Sequence, residues 1–187
     1  ESYQELGKQY VNKVAILKLN GGLGTSMGCK GPKSLVKIDR SHSFIDIIAK
    51  QVTALRRKTK TNVPFILMNS FYTAEETRNY LEGHIEYYNF EQCHFPRIQS
   101  DGFMPLDTSI QQQDWYPPGH GNIYLSLLSS GLLDRLVDEG IEYVFISNSD
   151  NLGAVMDFKI LGLCIDQQVN FLMEITEKTL TDLNSAI

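Results

Sequence analysis

Cysteine is scarce in this chain, and the three present, Cys29, Cys93 and Cys164, are odd in number and widely spaced. That excludes a disulfide framework and the paired spacing of a zinc site, and it makes a reducing cytoplasm the expected compartment. No apolar run approaches the roughly 18 residues that a membrane-spanning helix needs, so no membrane partner is expected. Basic residues are not in excess either. The formal net charge is −5, which argues against nucleic acid as a partner and confines phosphate binding to a local cluster such as Lys18, Lys30, Lys33 and Lys37. An initiator Met, a signal pattern and a terminating element near Ile187 are also missing, which leads one to expect a piece of a longer chain. What remains is globular in character: 187 residues, 42% hydrophobic and 21% charged, the size of about one α/β domain with a real core.

Glycine is what the chain concentrates. Leu19 to Ser34 holds five glycines and two lysines directly behind the apolar run Val14–Leu19, so a buried strand delivers a glycine loop where α/β sheets place their ligands. Glycine lets the backbone approach an anion and turn successive N–H groups toward it. A Walker A loop does not fit, because Pro32 precedes Lys33-Ser34, and a dinucleotide fingerprint does not fit, because three residues separate Gly24 from Gly28. A phosphate cradle is therefore expected, with a ligand-free turn as the bland alternative. Cys29, inside the loop but with no neighbouring base evident, reads as a packing residue.

The rest alternates. Ser34 to Ile38 reads as extended, and Ser43 with Asp46 opens a helix carrying Phe44, Ile47, Ile48, Val52 and Leu55. Phe65–Met68 reads as a strand, Thr73 to Leu81 as a helix, and Asn89 to Pro118 as long loops able to grip a base or sugar. Helices are expected at Asn122–Ser129, Leu132–Glu139 and Asp157–Cys164, with strands at Tyr143–Ser147 and Asn170–Glu174. Repeated β-α units with near-continuous apolar strands imply an α/β fold: a three-layer α/β/α, Rossmann-like, mostly parallel sheet. Ligands then bind beyond the carboxyl ends of the strands, where Asp150 is placed to hold Mg²⁺ and Asn148 to meet a sugar hydroxyl, the alternative for Asp150 being a turn former. In Trp115–Asn122 two prolines and two glycines stiffen a turn around His120, so the N–H groups of Gly119 and Gly121 have an anion or a base edge as candidate partner, and His120 a phosphate.

These three clusters, in this order, resemble the eukaryotic-type UTP–glucose-1-phosphate uridylyltransferases, also called UDP-glucose pyrophosphorylases. Leu19–Ser34 matches the nucleotide loop, Trp115–Gly121 the second motif and Ser147–Ala154 the third; Met68-Asn69-Ser70-Phe71 and Phe95-Pro96-Arg97-Ile98 also fit. The resemblance implies a sugar nucleotidyltransferase fold, here incomplete, and Mg²⁺-dependent, reversible transfer from UTP to glucose 1-phosphate, giving UDP-glucose and pyrophosphate. It implies that residues 1–187 are the nucleotide-binding part of the catalytic domain. Leu19, Asn20, Gly21 and Gly22 then hold the nucleotide through backbone, Lys33 contacts the UTP phosphates, and Gln92, four residues ahead of Pro96, reads uracil. Gly119 contacts the nucleotide, His120 the glucose 1-phosphate, Asn148 the substrate, and Asp150 ligates Mg²⁺. Asn122 stands where the family motif usually continues with Asp. The family also carries a further essential lysine, the rest of the sugar-binding domain and a C-terminal β-helix, through which homo-oligomers can form, beyond the stretch matched here. Little or no turnover is therefore expected of these residues alone. The alternatives are a pyrophosphorylase for another UDP-sugar and a non-catalytic uridine-nucleotide-binding module.

Overall fold

Val14–Asn20 (β1) is apolar and β-branched enough to be buried on both faces, and it lies between two neighbours in a four-stranded, all-parallel sheet. The computed structural model describes residues 2–24, 28, 31–106 and 114–177. The sheet order is Tyr88–Glu91 (β3), Phe65–Asn69 (β2), β1, then Tyr143–Asn148 (β6). Asn20 pairs in register with Asn69, Asn69 with Glu91, and Leu19 with Asn148. The carboxyl ends of all four strands therefore meet along one edge. From β1 the chain steps outward through β2 to β3, then returns to place β6 on the other side of β1. That reversal is a topological switch point, the place where open α/β sheets form their ligand crevice.

Helices cover both faces. On one, Ala15, Leu17, Ile66, Met68 and Phe90 pack against Ile123 and Leu127 of Ile123–Ser129 (α4) and Leu132 and Leu136 of Leu132–Asp138 (α5). On the other, Ile16 and Phe145 share a cavity wall with Ile48 and Val52 of Phe44–Thr59 (α2). α2 begins where the sequence signal puts it: the Ser43 side chain accepts from the Asp46 N–H, and Asp46 accepts from the Ser43 N–H at 2.7 Å, a complete capping box. Ala74–Leu81 (α3) links β2 to β3.

The chain divides into two compact units, Tyr10–Met156 and a smaller one combining Glu1–Gln9 with Asp157–Ile187. In the smaller unit Tyr3–Gln9 (α1) packs on Phe158–Asp166 (α6), whose N-terminus Asp157 caps by accepting from the Lys159 N–H. The contact depends on two glycines. A Cβ on Gly7 would lie 1.9 Å from the Phe158 carbonyl oxygen, and one on Gly162 would lie 1.9 Å from that of Tyr3.

Several expectations need correction. Asn89–Pro118 is not all loop, since β3 enters it and Phe95–Pro96 (β4) pairs antiparallel with Trp115–Tyr116 (β5). β3 escapes a reading by apolar runs because it is short and only Phe90 is buried. Lys33–Leu35 is a 3-10 turn rather than the start of an extended stretch. Residues 170–174 are irregular, with Phe171 and Met173 exposed, because no strand among the described residues pairs with them. The helix Tyr3–Gln9 is a further element, one that the sequence pattern does not signal.

Candidate functional site

The strand ends assemble a polar floor at the switch point. Asn20 closes β1 and is buried; its amide donates to Asn69 Oδ1 at 2.6 Å and to Thr77 Oγ1 at 3.0 Å. Asn69 closes β2 and donates to Asn89, while the Ser70 hydroxyl donates to the Gly21 carbonyl at 2.8 Å. These contacts hold the first glycine of the loop in place from below. The loop base is closed by a Leu23–Pro32 bridge, by Gly24 N–H donating to Gly31 O (2.8 Å) and by Lys33 N–H donating to Gly22 O (3.0 Å). Its tip at 25–27, with Cys29 and Lys30, lies outside the described residues.

Gln92 follows β3, and its N–H donates to Asn69 O at 2.8 Å. The side chain is 4% exposed and lies so close to Gly21 that a Cβ there would stand 2.0 Å from Gln92 Nε2. Gln92 Oε1, Asn20 Oδ1 and Ser34 Oγ are all buried without a hydrogen-bond partner. Buried polar atoms left orphaned cost free energy, about 1–3 kcal/mol each, and call for an explanation; a ligand that completes the site supplies one.

Across the switch point, Ser149 N–H donates to Leu19 O at 3.2 Å, which fixes the turn after β6 against β1. Asp150 follows, and its Oδ2 stands 3.5 Å from Lys33 Nζ with both side chains about one-third exposed. The turn is braced from beneath. Asn151 Oδ1 accepts from the N–H groups of Gly153 and Ala154, Gln51 donates to Leu152 O, and Lys18 donates to Ala154 O (2.8 Å) and Ser147 Oγ (2.6 Å). Lys18 is 2% exposed, and burial lowers its pKa to about 8. It is a buried support, not part of an exposed phosphate cluster. Lys37 also departs from that cluster, since its ammonium donates to Tyr80 Oη at 3.0 Å and lies 3.6 Å from Asp46. Of the four lysines first grouped together, Lys33 is the one the described residues place beside Asp150.

The second motif is carried by the β4–β5 ribbon. The Trp115 ring meets His94 edge-on at 4.9 Å, His94 meets Phe71 at 5.4 Å, and Tyr72 Oη donates to Trp115 O. Gly119 has φ +100° and ψ −176°, a conformation open essentially to glycine alone, and it turns the chain into the 3-10 segment His120–Asn122. His120 and Asn148 are exposed. The arrangement thus unites Gly21, Gln92 and the Lys33–Asp150 pair around one edge, with Leu19 and Asn20 beneath and Gly22 at the exposed entrance.

Asn69, Ser70, Thr73, Thr77 and Asn89 had no role from the sequence. The signal was present, because β1, β2 and β6 all end in Asn. One carboxylate suffices for Mg²⁺ held mainly by phosphates and water, so Asp150 fits that ion, and no cluster of three or more acidic, His or Cys side chains exists among the described residues.

Fold and site together define a doubly wound α/β protein whose strand order reverses between β1 and β6, the position at which such sheets place their ligands. The sequence model of the family described as UTP--glucose-1-phosphate uridylyltransferase matches residues 1–187, and the chain belongs to that family. An enzyme of that name from Musa acuminata is 46% identical over 185 residues, covering 96% of this chain and 40% of the relative. Among solved structures, a Trypanosoma brucei UDP-glucose phosphorylase is 41% identical with a TM-score of 0.84, covering 93% of this chain and 39% of its own. A Leishmania major UDP-glucose pyrophosphorylase mutant, solved in complex with UDP-glucose, is 36% identical with a TM-score of 0.85, over 93% and 38%. The chain therefore spans about 40% of the length of these relatives.

Proposed function

We propose that this chain is the nucleotide-binding part of an enzyme transferring the uridylyl group from UTP to glucose 1-phosphate, with UDP-glucose and pyrophosphate as products. The observation that carries the reading is Gln92: a buried carboxamide with an unpartnered oxygen, pressed against Gly21 at the switch point. Such a group suits the edge of a base. The names of the relatives and the UDP-glucose bound to the Leishmania neighbour support the same ligand class.

In this reading the backbone of Leu19–Gly22 holds the nucleotide and Gln92 reads uracil. Lys33 neutralises the UTP phosphates, Gly119 contacts the nucleotide, and His120 and Asn148 meet the sugar phosphate. The glucose 1-phosphate oxygen attacks the α-phosphorus, the bond to pyrophosphate breaks, and the protein supplies position and charge rather than a nucleophile. Asp150 would hold Mg²⁺, which when bound supplies further charge neutralisation at the phosphates. Without ligand, Lys33 and Asp150 neutralise one another. An ion pair this exposed is worth only about 0–1 kcal/mol, so separating it for substrate costs little. The free thiols of Cys93 and Cys164 suit a reducing cytoplasm, the compartment assigned here.

The test is UDP-glucose formation by the whole protein, wild type and Asp150→Ala. Loss of Mg²⁺-dependent turnover with the fold retained is expected, and unchanged activity contradicts the metal role. Faster use of N-acetylglucosamine 1-phosphate than of glucose 1-phosphate would overturn the choice of sugar.

A further inference from the structure

We propose that Asn122 is a positioning residue for base recognition, one that fixes the backbone after Gln92 so that the Gln92 carboxamide is presented at a set depth. The inference rests on the reading of Gln92 as the base-contacting group. Asn122 stands immediately before α4, where an Asn ordinarily caps its own helix by accepting from an N–H two or three residues ahead. Here it makes no such bond. Its Oδ1 instead accepts from the Cys93 N–H at 2.8 Å, across 29 residues of sequence, and from the Ser126 hydroxyl at 2.5 Å. Ser126 is 1% exposed, and its Oγ lies 3.2 Å from the same Cys93 N–H.

Gln92 is consequently clamped on both flanks. Before the side chain, its own N–H is tied to Asn69 O of β2; after it, the Cys93 N–H is tied to Asn122. The side-chain oxygen has no protein partner, so the side chain is held by its packing against Gly21 and by the backbone bonds on either side of it. Asn122 also closes the second-motif turn, its N–H donating to Gly119 O at 3.2 Å. One residue thereby joins the base-reading segment to the Gly119–His120 turn. Acceptance from Cys93 requires only an oxygen, so a carboxylate would serve as well as this carboxamide.

The test uses the whole protein with Asn122→Ala, Asn122→Asp and Gln92→Leu, measuring kcat and KM with UTP and with CTP alongside the thermal midpoint. Losing a hydrogen bond that orients a buried group is expected to raise the KM for UTP about tenfold in Asn122→Ala. The preference for UTP over CTP should fall in parallel, with kcat little changed, and Asn122→Asp should restore both. An Asn122→Ala enzyme with wild-type KM and base preference overturns the inference, as does failure of Asn122→Asp to restore them. If Gln92→Leu leaves the UTP-to-CTP ratio unchanged, the assignment of Gln92 has failed and the clamp falls with it. Should Asn122→Ala not fold, Asn122→Ser, whose hydroxyl is too short to reach Cys93, takes its place with the same expectations.

Discussion

At the scale of single residues, the site is governed by how little room it leaves. A methyl group on Gly21 would collide with Gln92 Nε2, the end of a side chain, so the fold can accept Gly21→Ala by displacing Gln92. UTP affinity in that variant should fall about tenfold or more while the thermal midpoint moves by only a few degrees, read by titration calorimetry and thermal unfolding. Lys18 makes a different prediction. Burial lowers its pKa from 10.5 to about 8, so below that pH the fold carries a buried charge that opposes folding. Between about pH 8 and pH 10.5 the folded state has released the proton that the unfolded state still holds, and stability rises with pH. The gain is at most about 3 kcal/mol. Urea midpoints of wild type and Lys18→Met, compared from about pH 7.5 to pH 9.5, should differ in slope; parallel curves would remove Lys18 as the cause.

At the scale of elements, α2 depends on its cap. Burial alone would raise the Asp46 pKa, but the Ser43 N–H, the hydroxyls of Tyr80 and Ser43 and the nearby Lys37 bring it down to about 2. A depressed carboxylate contributes stability above its unfolded value of about 3.8 and loses it as pH falls toward 2. Ser43→Ala should cost about 1 kcal/mol at neutral pH, checked by chemical denaturation. The α1–α6 contact is more severe: Gly162→Leu would drive a side chain into the Tyr3 carbonyl, and amide exchange across Tyr3–Gln9 should accelerate. The Ser43-x-x-Asp46 signal made α2 legible in advance, and continuous apolar runs did the same for β1, β2 and β6. α1 and β3 carry no such signal, because one is built on a glycine contact with a distant helix and the other is a short edge strand with one buried residue. Residues 170–174 show the converse: strand composition makes no strand without a neighbour to pair with.

At the scale of the whole molecule, the site follows from strand order. Parallel pairing puts Gly21, Gln92 and Asp150 at one edge, beside the reversal of strand order between β1 and β6. The glycine loop, the turn at Gly119 and the Asp150 turn were readable as separate motifs. Their meeting at one site was legible only through the family resemblance; the register that brings the ends of strands far apart in sequence to one edge was not. Nor was the buried network of Asn20, Asn69 and Thr77, whose polar side chains look like loop residues until the strands are aligned. No helix among the described residues is long and apolar enough to cross a membrane. The central claim is that this edge binds UTP with Lys33 as its phosphate charge. The most direct measurement is kcat/KM for UDP-glucose formation by the whole protein with Lys33→Ala. The account predicts a fall of about a hundredfold or more at unchanged thermal stability, and activity equal to wild type would contradict it.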